Sequence, residues 1–134
     1  MPTIPAVAFA AYSGTGKTTL IEKVVRCLKG RGLLLAVIKQ NAHNIEIDKE
    51  GKDSWRYAKA GADVVMVSGP EKKVLIDHRE SMLEENLSRI EGVDLILVEG
   101  YQNGDLPVIG ICRKATGQDF SQTLDRFIAV VTDR

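Results

Sequence analysis

The stretch Ala11–Leu20, AYSGTGKTTL, places two glycines, a lysine and paired threonines between two apolar runs. The run before it, Ile4–Ala11, is short and bounded by proline and glycine, so it reads as a buried strand. After it, Leu20, Ile21, Val24, Val25 and Leu28 recur with helical period between Lys17 and Lys29. Gly30 and Gly32 around Arg31 then stop that helix. A turn alone would use the glycines but would give no reason for the lysine or the hydroxyls.

A phosphate chain supplies that reason. Gly14 and Gly16 let the backbone curl so that successive N–H groups, with those of Ser13 and Thr15, point inward around an anion. The helix starting near Lys17 adds free N–H groups and the positive end of its dipole. Lys17 reaches toward β- and γ-phosphates, the Thr18 hydroxyl suits Mg²⁺, and Thr19 is placed for a further phosphate contact. The full phosphate-loop pattern begins with glycine, whereas this chain has Ala11. A methyl group fits there if the position keeps ordinary strand angles.

Working outward, Leu33–Lys39 (LLLAVIK) reads as a second buried strand and Asp53–Ala60 (DSWRYAKA) as a helix, with Asp53 its N-cap and Gly61 its end. ADVVMVS and KKVLID are strands joined by a turn at GPE, and Met82–Ile90 is helical. DLILVE (Asp94–Glu99), PVIGICR and RFIAVVTD are three more strands. Strands alternating with helices predict an α/β fold with a mostly parallel sheet, to which a β-hairpin near residues 63–77 is added. In such sheets ligands sit at the carboxyl ends of the strands, where Ala11–Leu20 falls.

The 134 residues suit one domain, 1–134, with 44% apolar and 27% charged residues, an ordinary globular composition. A formal net charge of zero implies no general attraction to nucleic acid or anionic lipid. No apolar run reaches membrane length, the N-terminus lacks a basic start, and two cysteines make no ligand pair or disulfide framework. A cytoplasmic protein is the expectation. Cys27, on or beside the apolar face of the first helix, is expected to fill core.

Three further places carry candidate chemistry. Glu99 ends a buried strand, where its carboxylate could hold Mg²⁺ through water or orient an attacking water. Gly100 beside it allows close approach of the backbone to a ligand. KQNAHNIEID (Lys39–Asp48) should hang over the same sheet edge, with His43 either solvated or a ligand contact. Asp53 either caps its helix or meets the ligand, while Trp55 and Tyr57 are expected to pack.

Together YSGTGKTTLIEKVV, AVIKQNAH, IDKEGKDSWRYAKAGAD, DLILVEGY and AVVTD resemble the molybdopterin-guanine dinucleotide biosynthesis adaptor family, MobB, over nearly the whole chain. The resemblance implies a P-loop NTPase fold, a three-layer α/β sandwich. It further implies GTP and Mg²⁺ as ligands, weak GTP hydrolysis, a homodimer, and support of a guanylyltransferase that attaches GMP to molybdopterin. By position, Gly14, Gly16, Lys17, Thr18 and Thr19 would bind phosphate and metal, and Glu99 would sit beside the metal. His43 and the Asp53 loop would lie near the γ-phosphate or the acceptor. Gln40 and Asn41 stand where the family often has histidine and a polar or acidic residue, and Gln102 where a basic one is common. The rival reading is a small-molecule kinase using ATP or GTP, which needs an arginine-bearing lid. Arg56, Arg79 and Arg113 are scattered instead. A third reading is an interaction module whose loop no longer binds nucleotide, motivated by Ala11 and Asn41.

Overall fold

A computed structural model describes residues 4–11, 16–40, 45, 50–100, 105–112 and 127–132. Its contacts divide the chain into two compact units, 1–42 with 87–134, and 43–86.

The first unit is built on five parallel strands: β1 (Ala6–Ala11), β2 (Leu35–Lys39), β5 (Leu95–Glu99), β6 (Val108–Cys112) and β7 (Phe127–Thr132). Their order in the sheet is β2-β5-β1-β6-β7, and every neighbouring pair is parallel. The chain leaves β1 for one edge, returns through β5, and crosses β1 to reach β6. Order therefore reverses around β1, which is where an open α/β sheet makes its ligand crevice.

Alternation along the strands sorts the side chains into two faces. Val7, Phe9, Leu95, Leu97, Ile109 and Ile111 share one face and pack with Leu20, Ile21, Val24 and Val25 of α1 (Lys17–Gly30). Ala8, Ile96, Val98 and Val108 on the other face are buried as well. Apolar residues on both faces are what a parallel sheet requires, and they explain why DLILVE reads as one continuous run.

α1 ends as its glycines suggest. Gly32 takes φ 85°, its N–H bonds to the Lys29 carbonyl at 3.0 Å, and Leu33 N–H reaches the Leu28 carbonyl at 3.3 Å. These two bonds around a left-handed glycine form a Schellman C-cap. The helix runs one residue further than expected, through Gly30. Cys27 is exposed and does not fill core. At 3.6 residues per turn it sits roughly 120° round the helix from Ile21, on the flank of the apolar face.

β2 starts two residues later than the run Leu33–Lys39 suggests. The start is set by Asp94, whose carboxylate accepts the Leu34 N–H at 2.7 Å while its own N–H donates to the Leu34 carbonyl at 2.7 Å. β2 is also an edge strand, so Val37 is half exposed where a buried strand was expected.

The second unit holds α2 (Asp53–Ala60) and the expected hairpin, β3 (Val64–Ser68) and β4 (Lys73–Asp77), paired antiparallel. α2 packs against β3. Its N-cap is Lys52, without a side-chain cap bond, so the expected Asp53 cap is corrected. Asp53 is instead the first helical residue, where its charge meets the positive end of the dipole. Gly61 ends the helix at φ 121°. Tyr57 is exposed where packing was expected. Trp55 is half-buried, with the Lys59 ammonium 5.6 Å from its ring centre. α3 (Leu83–Ser88) is shorter than the expected Met82–Ile90. No described helix is long and apolar enough to cross a membrane.

Candidate functional site

The helix start carries the first half of the site. Gly16 precedes α1 in the left-handed region, φ 85° and ψ 24°, and its carbonyl accepts the first helical bond from Leu20 N–H at 3.0 Å. Among the described residues no side chain caps that end, and no acidic residue lies in the first turn. Helix geometry gives the first-turn amides no partner within the helix, and here no carboxylate of that turn offsets the positive dipole end. An anion is the natural complement. Thr18 and Thr19 present their hydroxyls from this turn and are exposed. Ser13, Gly14, Thr15 and His43 lie outside the described residues, so their expected roles stay expectations.

The sheet carries the second half. Phe9 and Glu99 are register partners, and Leu97 lies on the face that α1 covers. Glu99, two residues on, therefore projects on that same face at the strand's end. Lys17 is one helical turn before Ile21, so it too comes off the sheet-facing side of α1. The two meet: Lys17 Nζ lies 3.6 Å from Glu99 Oε1, with side chains 25% and 15% exposed. Residues far apart in sequence are thus joined by the topology β1–α1 and β5 beside β1.

Ala11 is the last residue of β1 and pairs with Ile111. A strand conformation is open to alanine, so the departure from glycine is accommodated in the backbone.

Gly100 has a different reason from the one its position suggests. It sits at φ 88°, and a Cβ there would stand 2.6 Å from the Gln40 carbonyl oxygen. The close approach it permits is to the backbone leaving β2. Gln40 N–H in turn donates to the Glu99 carbonyl at 2.8 Å. This contact was invisible in the sequence, because only the β2–β5 register puts residue 40 beside residue 100.

Asp53 belongs to the second unit, whereas Lys17 and Glu99 belong to the first. No cluster of three or more potential metal ligands occurs among the described residues. Thr18 and Glu99 fit Mg²⁺ in the way such sites do, as a hydroxyl and a carboxylate completed by water and phosphate oxygens. The donors present, uncapped amides, an ammonium, hydroxyls and one carboxylate, therefore suit a metal–polyphosphate better than a neutral ligand.

A parallel sheet reversing at β1, a left-handed glycine opening α1, and a lysine facing a strand-end carboxylate define a domain of the P-loop NTPase class. Within that class, the profile of MobB, molybdopterin guanine dinucleotide synthesis protein B, matches residues 6–133. The chain belongs to the MobB family. A molybdopterin-guanine dinucleotide biosynthesis adapter protein of Escherichia coli is 39% identical over 138 residues, covering 97% of this chain and 79% of the relative. One from Haemophilus influenzae is 34% identical over 139 residues, covering 97% and 75%. The crystal structure of Bacillus subtilis MobB superposes with a TM-score of 0.69 at 30% identity, covering 96% of this chain and 77% of that one.

Proposed function

We propose that this chain is a GTP-binding adapter in molybdopterin-guanine dinucleotide biosynthesis, holding Mg²⁺ with the nucleotide and supporting a guanylyltransferase. The observation that carries the nucleotide half is the Lys17–Glu99 pair at 3.6 Å beside the uncapped start of α1. The adapter half and the choice of guanine rest on the relatives.

On this reading the first-turn amides of α1 would bind phosphate, Lys17 would take the β- and γ-phosphates, and Thr18 and Glu99 would hold the metal. The metal would supply positive charge against the phosphates. Lys17 must leave Glu99 to reach phosphate, which frees the carboxylate for the metal's side of the site. Among the described residues no arginine pairs with Glu99, and a carboxylate without one would give only weak hydrolysis, as suits an adapter. Molybdopterin would be the second ligand. The proposal includes a homodimer working in the cytoplasm.

Calorimetric titration with GTP and ATP, with and without Mg²⁺, tests this. Mg²⁺-dependent GTP binding is expected, weakened roughly a hundredfold in Lys17→Ala by loss of charge-assisted bonds to phosphate. Preference for ATP, or unchanged affinity in the variant, overturns it. Co-purification with a guanylyltransferase that depends on GTP tests the adapter role.

A further inference from the structure

We infer that Lys39 is a second phosphate-binding cation of this site, taking a phosphate oxygen on the side of Glu99 away from Lys17; this rests on the nucleotide reading above. Lys39 is the last residue of β2 and the register partner of Glu99. Partners on adjacent parallel strands, roughly 5 Å apart, project on the same face. Lys39, Glu99 and Lys17 thus line one sheet end on the face covered by α1, with the carboxylate in the middle.

Two further contacts fix the root of Lys39. The Gln40 N–H bonds to the Glu99 carbonyl at 2.8 Å, extending the ladder one residue past β2. Gly100 then presses against the Gln40 carbonyl with no room for a Cβ. The backbone is clamped at a residue that is itself exposed.

The charges do not balance. Glu99 is engaged by Lys17, and Lys39 makes no ion pair within 4.0 Å among the described residues. An exposed strand-end lysine is ordinarily just solvated. Here it stands beside a carboxylate already taken by another cation, at the sheet end where ligands bind. Two ammonium groups around one carboxylate leave an excess positive charge, and a compact ammonium with three donors suits a phosphate oxygen. That oxygen belongs either to the nucleotide's γ-phosphate or to the phosphate group of a second ligand.

Titration of wild type, Lys39→Met and Lys39→Arg separates the sources. If the γ-phosphate is bound, Lys39→Met weakens Mg·GTP about tenfold, leaves GDP unchanged, and Lys39→Arg recovers most of the loss. If a second phosphate is bound, GTP and GDP are unchanged in Lys39→Met. Inorganic phosphate then binds more weakly to the variant already holding Mg²⁺ and a non-hydrolysable GTP analogue. Either result supports the inference. Wild-type behaviour of Lys39→Met in both titrations overturns it while leaving the nucleotide site intact. A wild-type protein that binds no nucleotide brings down the nucleotide reading, and this inference with it. Equal urea midpoints for the three proteins show that the fold is not the cause.

Discussion

The strands LILVE of β5 and VVMVS of β3 are nearly interchangeable as sequences, yet their surroundings differ sharply. In β5, Val98 is fully buried between β1 and β2. In β3, Met66 is 55% exposed, and so nearly is its cross-strand partner Leu75 at 48%. β5 is hydrogen-bonded on both edges within five strands, whereas β3 has one neighbour in a two-strand ribbon. Burial is decided by how many strands and layers surround a segment, which its own residues do not record. The site sits on the enclosed strand, where packing holds Glu99 still for Lys17.

That contrast can be broken by substitution. The largest effect is expected for Phe9→Ala, which empties the sheet's α1-facing core and should cost about 3–5 kcal/mol by urea unfolding. Met66→Ala in the ribbon should cost under about 1 kcal/mol, because the truncated atoms already meet water. Similar losses at both positions would mean that the ribbon face is covered in solution.

The next effect concerns the clamp. Gly100→Ala combines left-handed strain with a 2.6 Å approach to the Gln40 carbonyl. Gly51→Ala meets a similar φ, 85°, with nothing within 4 Å. Strain alone is worth about 1–2 kcal/mol, so Gly51→Ala should stay in that range and Gly100→Ala should exceed it. Gly100→Ala should also weaken nucleotide binding, by shifting Glu99; equal effects in the two variants would contradict the clamp.

A smaller change is expected from Asp94→Asn, which keeps an acceptor for Leu34 N–H but loses its charge. It should cost about 1 kcal/mol or less, because the bond is exposed. Asp94→Ala should cost more, by leaving the start of β2 unpinned.

Much of the fold was legible because its signals are local. Gly32 ended α1, short continuous apolar runs marked the strands, and GPE joined β3 to β4. Lys17 and Glu99 were legible as candidates, since each ends or starts an element beside a glycine. Their direct contact was not, because it depends on the register of β5 against β1 and on the helical position of Lys17. Lys39 was passed over because a lysine at a strand end looks merely solvated until register sets it beside Glu99. Asp53 was misread by one position, since an acidic residue serves the cap and the first turn alike. Gly100 was given a ligand as its neighbour when the neighbour is a carbonyl of the same chain.

The most direct test follows backbone amides by NMR while Mg·GTP is added. The largest shifts should fall at Gly16, Lys17, Thr18 and Thr19, with Glu99 and Gly100 following as the lysine moves off the carboxylate. If nucleotide binds while those amides keep their positions, and the changes gather instead along residues 64–77, the phosphates are held elsewhere and the site described is not the nucleotide's.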